Sequence, residues 1–365
     1  MQVSDFFDHM KYGQPYMGGD LSGENGDLPG VDFSGQELSG LTVLQTSFAQ
    51  ANFSNTKLSS LTFVKCDFSG CDFGGSNLRK CQFVQCNLQG ARFDAARFAT
   101  DALIECNADR ASFRMARFFM TSVMKTSLRE AVFREVSIEK SVLMECVMED
   151  IDLSKGVFHN VVVTGADLRG ANLDGLDCDG FMLMEADLSN RDLRSLTLAR
   201  ANLMKTSFAG ANLAGMDLSG SVFKEANLQR ADLTGVQASM VLFAAADLSG
   251  AKLRNATLSL ANFEGANVQA ADFGGAKLDM AGMNSTKAAT ARFDGADLTL
   301  TRFGYADLKG AVFSGAKFKQ TDLHCALMQG SLSAGASGST LPTDQARAVA
   351  ELYDPRRVAA NEAGD

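Results

Sequence analysis

The sequence predicts an all-β solenoid, a chain that turns a corner every five residues, and three observations predict it. A large apolar residue recurs at every fifth position from Phe33 to Met328; of the sixty positions in that frame, only Ala108, Cys178, Ala238 and Ala288 are not Leu, Phe, Val, Ile or Met. The residue two before each centre is small, mostly Ala with Cys, Ser, Thr and Val. All four prolines (Pro15, Pro29, Pro342, Pro355) lie outside the uninterrupted frame, as a backbone ladder that uses every N–H requires.

A period of five fits neither regular element. On an α-helix residues five apart step by roughly 140°, so the large side chains would cover every face. On a straight strand an odd spacing alternates sides. The period works only if the chain bends within each unit, so that the centre and the residue two before it both point inward. The remaining positions agree: Asp or Asn often precedes the centre, where it bonds to turn backbone, and Gly often follows two residues after it.

The units themselves read VDFSG at Val31–Gly35, ANFSN at Ala51–Asn55, ANLDG at Ala171–Gly175, ADLTG at Ala231–Gly235 and ADFGG at Ala271–Gly275. This pattern resembles the pentapeptide-repeat family, whose units follow A(D/N)LXX, and the resemblance covers residues 26–330. It implies a right-handed, quadrilateral parallel β-helix with four repeats per coil, hence about 15 coils, in which each residue has the role of the one twenty positions on. Ladders follow. Phe33, Phe53, Phe73, Phe93, Phe113 and Phe133 should stack, as should Phe273, Phe293 and Phe313. Cys66, Cys86 and Cys106 should form an inward column continued by Thr126 and Cys146.

Three segments are expected. Residues 1–25 are a possible cap for the open strand edge, with Ser4 starting a short helix that carries Phe6, Phe7 and Met10. Residues 26–330 form the β-helix. Residues 331–365 open with SLSAGASGST, a linker by composition, followed by a short helical or disordered tail.

The composition narrows the function classes. Net charge is −9, but residues 1–40 hold seven acids against Lys11, and residues 331–365 hold five against three Arg. The body between is nearly neutral, which argues against direct nucleic-acid binding. The mixed-charge stretch with Arg92, Arg97, Arg110, Arg114, Arg117, Lys125, Arg129, Arg134 and Lys140 reads as a solvated, salt-bridged surface. No apolar run approaches the ~20 residues of a membrane span, and the first fifteen residues have no apolar core of a secretory signal. A cytoplasmic bacterial protein is expected.

No cofactor, metal or catalytic residue is expected. His9, His159 and His324 are far apart, no CxxC pair exists, and no Gly-rich phosphate loop is present. Cys66, Cys71, Cys81, Cys86, Cys106 and Cys146 occupy the small inward position and read as structural thiols; Cys178 is a centre and Cys325 faces out. Asp101 and Arg191 also fall at the inward position, where a local bulge turning each outward is expected, a specific polar contact being the alternative. Bulky Leu176, Phe181 and Leu196 at that position predict a distorted coil.

One outer face departs from the polar rule. Beside the centres from Val123 to Phe243, one column reads Ile104, Met124, Met144, Thr164, Met184, Met204 and the other Val142, Val162, Met182, Asn202, Val222, Leu242, with Phe119 and Met120 near the preceding corner. Large apolar patches mark interaction sites, and Met-rich surfaces adapt to their partners. The residues expected to bind are Phe119, Met120, Met124, Val142, Met144, Val162, Met182, Met184, Met204, Val222 and Leu242. A protein partner or self-association is the expected use; cover by the tail and drift within a degenerate repeat are the alternatives.

The resemblance implies a non-enzymatic interaction scaffold or adaptor, such as an accessory of type VI secretion. Two other family roles compete: a DNA mimic that binds and protects DNA gyrase, and a secreted effector. The mimic finds support in Asp32, Asp72, Asp152, Asp192, Asp232 and Asp272 on one face, but Arg92, Lys252 and Arg292 interrupt them, and the projecting loops of quinolone-protecting members are absent.

Overall fold

The computed structural model describes residues 16–17, 28–178 and 180–352. The chain divides into two compact units, Met1–Asn212 and Leu213–Asp365. Each is a parallel β-solenoid, with about 15 turns between them.

In the first unit each residue pairs with the one twenty positions on. Thr42 lies beside Thr62, Val43 beside Phe63 and Leu44 beside Val64. Two of the four sides are continuous sheets. One has nine strands, running from Tyr16–Met17 and Thr42–Leu44 through Val142–Met144 and Val162–Thr164 to Met182–Met184. The other has seven, from Glu37–Ser39 to Val157–His159. The remaining sides are columns of single parallel bridges, such as Asp32 to Asn52 and Ser47 to Asp67.

The five positions have the expected roles. Oδ1 of Asp32, Asn52 and Asp72 accepts the N–H two residues on, at 2.9, 3.0 and 2.8 Å, the local turn that favours Asp and Asn there. The second residue after nearly every centre has positive φ, for example 66° at Gly70 and 54° at Lys65, which explains the frequent Gly. The centres fill the interior. Phe33, Phe53, Phe73, Phe93, Phe113 and Phe133 stack with ring centroids 4.5–5.0 Å apart. That spacing is the strand-to-strand distance, so parallel pairing forces like residues into stacks.

The second unit keeps the step of twenty but closes its corners with tight turns. Over one full turn, Ala246 N–H bonds Phe243 O, Ala251 bonds Leu248, Ala256 bonds Leu253 and Ala261 bonds Leu258, at 3.0–3.2 Å. Phe273, Phe293 and Phe313 stack at 5.0 and 5.1 Å.

Residues 331–341, expected as a linker, instead extend the solenoid. Leu332 pairs with Val312, and Ser337–Leu341 forms a strand beside Lys317–Asp322, itself paired with Asp297–Thr299. Backbone pairing persists here although the centres have become Ser333 and Gly338, because the register of twenty needs only N–H and C=O groups. Gly338 has φ +98°, and a Cβ there would lie 1.5 Å from Phe318 O, so this position admits only Gly.

Helix α1 (Gln345–Leu352) then docks on the last coil. Buried His324 accepts Asp344 N–H at Nδ1 (3.2 Å) and faces Glu351 with Nε2 (3.2 Å). Its ring is therefore protonated on Nε2. Tyr305 donates to the same carboxylate, which also accepts Arg347 Nε at 2.7 Å. The tail is thus fastened as far as α1, rather than free. Ser4, Phe6, Phe7 and Met10 lie outside the described residues, yet Tyr16–Met17 pairs with Val43–Leu44 along the open edge.

Candidate protein-binding face

The nine-stranded sheet is bordered by open corners. Where a tight turn would use a backbone amide, several corners bordering this sheet use a side chain of the next coil. Cys81 N–H bonds Asp101 Oδ1 (2.6 Å), Cys106 N–H bonds Thr126 Oγ1 (3.3 Å) and Thr121 N–H bonds Ser141 Oγ (3.0 Å). The carbonyls such turns would use are taken from inside. Cys86, Cys106 and Cys146 donate Sγ–H to Phe63, Phe83 and Val123 O at 3.3–3.4 Å, and Thr126 donates to Leu103 O. The inward cysteines are thus weak donors that cap carbonyls as well as small fillers. Burial pushes the thiols of Cys81 and Cys146 up to about 11 and those of Cys71 and Cys178 up to about 12, so they are unreactive at neutral pH.

With its corners open, each strand presents three extended residues, two of them outward. One outward column is apolar from Leu44 through Val64, Val84, Ile104 and Met124 to Met144 and, after Thr164, again at Met184, in register through backbone pairs. The other becomes apolar at Val142, Val162 and Met182. A bridge from Met182 to Asn202 brings Met204 next in the first column. All these side chains are half-buried against one another. Phe119 ends a strand of the seven-stranded sheet and Met120 is the corner between the sheets; they are 40% and 53% exposed. Lys140 Nζ covers the Phe119 ring at 5.5 Å. The structure therefore groups nine of the eleven expected residues in the first unit. Val222 and Leu242, half-buried and bridged to each other, belong to the second. Sequence reading missed Leu44, Val64 and Val84, though the step of twenty from Ile104 leads back to them.

Asp101 corrects its expectation. No bulge turns it outward. It is 3% exposed and accepts the N–H groups of Cys81 and Ala99, which compensate its burial; burial still raises its carboxyl to about 6. Arg191 is half-buried. Its guanidinium reaches back one coil, donating to Ala171 O at 2.5 Å and to Arg169 O. The bridge column through Val132 and Asp152 stops at Asn172 and restarts from Asp192 to Asn212. The distorted coil was expected from Leu176, Phe181 and Leu196, all of which remain inside, lining a cavity of about 10 Å³ with Phe158 and Cys178.

The charged columns are neutralised locally. Arg92 lies 3.8 Å from Asp72 and 3.7 Å from Asp94. In the second unit Lys252 meets Asp232 at 3.7 Å and Arg254 meets Asp272 at 3.0 Å. Among the described residues no cluster of three metal-ligating side chains occurs, and no helix is long and apolar enough to cross a membrane.

Among solved structures, the chain is similar to QnrB1, a plasmid-mediated fluoroquinolone resistance protein: 22% identity over 57% of this chain and 90% of that one, TM-score 0.37. It is similar to HetL of the cyanobacterium Nostoc sp., a pentapeptide repeat protein involved in heterocyst differentiation regulation: 20% identity over 87% and 96%, TM-score 0.26. At these identities and TM-scores neither likeness carries an argument. No curated protein sequence matches. The family model for pentapeptide repeats matches in eight copies, over residues 45–75, 66–99, 151–190, 164–198, 201–236, 243–279 and 291–330. These segments make up more than half of the chain and share its five-residue frame: the chain belongs to the pentapeptide-repeat family.

Proposed function

We propose that the chain is a non-enzymatic interaction scaffold that seats a protein partner on the Met-rich face of its first unit. The observation that carries this reading is the register of outward apolar side chains from Leu44 to Met184, interrupted only at Thr164 and flanked by a second apolar column at Val142, Val162 and Met182. A solvated solenoid face has no need of such a column, and a row of Met side chains adapts to an apolar counterpart. Met124, Met144, Met184 and Met204 are the central contacts, with Phe119 and Met120 at the edge. An accessory role in type VI secretion is the finer form of this reading and draws on family analogy alone.

Affinity capture from the native cell tests it. Wild type is compared with a variant carrying Met144→Lys, Met184→Lys and Met204→Lys, after both show the same β-sheet circular dichroism. A protein captured by wild type and lost in the variant supports the face; an unchanged captured set overturns it.

The gyrase-protecting alternative is disfavoured by the ion pairs at Asp72, Asp192, Asp232 and Asp272, since a DNA mimic needs sustained negative charge. Gyrase supercoiling in the presence of quinolone, with stoichiometric protein, decides between them: protection revives that reading. For the effector alternative, the decisive measurement is translocation of a tagged chain.

A further inference from the structure

A second apolar surface lies wholly within the second unit, at a corner rather than on a face. Met240, Leu260, Met280 and Leu300 occupy the positive-φ corner of four successive coils, with φ of 57–60°. Gly or Asn is the usual tenant of that backbone conformation. Here all four side chains are large, apolar and projecting, 63%, 50%, 50% and 41% exposed. The step of twenty stacks them into one ridge, and small or uncharged side chains such as Ser239, Ser259 and Leu242 flank most of it.

Beside the ridge is a notch of about 190 Å³ between Leu260, Met280, Asn262 and Gly282, with Glu264 and Arg302 at its rim. Gly282 has no positive φ, and a Cβ there would find its nearest neighbours at 3.6 Å, Arg302 Nη2, and 4.0 Å, Asn262 Oδ1. The backbone does not require glycine at this place; its effect is to deepen the notch. Ridge and notch are therefore adjacent parts of one surface.

The rim charges point to the occupant. Glu264 precedes Gly282 by about one coil and Arg302 follows it by one. Both are exposed, and among the described residues neither forms an ion pair. A two-fold axis at Gly282, relating two antiparallel copies, brings Glu264 of each copy to the level of Arg302 of the other, about one coil from the axis on either side. The surface is complementary to itself, which is the condition for an isologous contact.

We propose that this corner is where a second copy of the chain docks, antiparallel, to form a dimer. The ridge is narrow and falls at the low end of interface sizes, so the dimer dissociates on dilution. This surface is independent of the Met-rich face of the first unit.

Sedimentation velocity of the full chain across a micromolar concentration series tests it. Wild type is expected to move from monomer to dimer. Leu260→Lys with Met280→Lys, at exposed positions, should weaken association about tenfold or more. Glu264→Arg and Arg302→Glu should each weaken it, and the two together should restore it, a rescue that the antiparallel two-fold arrangement alone predicts. Four outcomes overturn the proposal. They are a monomer at every concentration, a dimer unchanged by the ridge lysines, a double reversal without rescue, or dimer loss in the Met144→Lys, Met184→Lys, Met204→Lys variant instead. The last places self-association on the first unit's face. A chain that stays monomeric while the ridge is needed to capture another protein assigns the ridge to that protein and also overturns the proposal.

Discussion

The two units turn the same corner in different ways. In the second, Ala at the inward position lets the backbone close each turn on itself, as Ala246 N–H does on Phe243 O and Ala261 N–H on Leu258 O. In the first, the corners beside the nine-stranded sheet stay open; several carry Cys, Thr, Ser or Asp inside, and these side chains take over amides and carbonyls, while Leu41, Leu61 and Val161 leave theirs open without such a cap. The consequence reaches the surface. Open corners leave three extended residues per strand and a flat face with apolar columns. Tight corners leave one projecting residue, so large apolar side chains there form a ridge. The inward position of the repeat therefore shapes the outer surface as well as filling the core.

The largest test of this contrast is in the core. Phe73 stacks on Phe53 at 4.8 Å and Phe93 at 4.6 Å. Phe73→Ala should cost about 3–5 kcal/mol in urea unfolding followed by circular dichroism. Leu253→Ala in the tight-cornered unit should fall toward the lower end of about 2–5 kcal/mol. A Leu253 cost above that of Phe73 would show that the stacked rings add nothing.

Next is Asp101. Its native value of about 6 lies above the usual 3.8 because burial disfavours the charge. The folded chain therefore holds this proton more tightly than the unfolded chain. The resulting stabilisation is complete below the unfolded value and is lost as pH rises through the folded one, on the order of 3 kcal/mol. Asp101→Thr copies the solution found at Thr126 and should remove this fall. The difference between wild type and variant across that window isolates Asp101 from carboxylates held low by ion pairs. A difference that is flat with pH refutes the assignment.

A paired substitution addresses the corners directly. Thr126→Val leaves Cys106 N–H without its hydroxyl partner and should cost about 1–3 kcal/mol. Thr301→Val loses a bond to Leu278 O, but Ala281 N–H still satisfies that carbonyl, so about 1 kcal/mol is expected. Equal costs would mean that side-chain capping does not distinguish the units.

The smallest effect has the opposite sign. Arg191→Ala restores the small inward residue and frees Ala171 O for the backbone bond made elsewhere, as Asp72 N–H makes to Ala51 O. The melting temperature should rise slightly, by about 1 kcal/mol or less in stability. A clear fall would show that the guanidinium holds the distorted coil together.

Much of this could be read from the chain alone. The frame of five and the step of twenty named the stack from Phe33 to Phe133 and the Cys66, Cys86, Cys106, Thr126, Cys146 column, because in-register parallel pairing maps spacing directly onto contact; the stacks of Phe48 on Phe68, Phe63 on Phe83 and Phe98 on Phe118 obey the same step but were not named. They also located most of the Met-rich face. Other features escaped. Asp101 was expected to turn outward, since spacing does not reveal which amides lack a turn partner. The segment 331–341 was read as a linker because its composition is that of one, whereas backbone pairing ignores side chains. The ridge of Met240, Leu260, Met280 and Leu300 was passed over because its position was assigned to turns.

By itself the sequence determined the frame of five and the identity of the inward and outward positions; these are periodic properties, and a period needs no third dimension to be seen, whereas the coil of four repeats came from the family resemblance. Only the tertiary structure decided which corners open and which close. At Cys81, Cys106 and Thr121 an inward side chain of the next coil reaches the amide that a tight turn would use, a distance set when the coils stack.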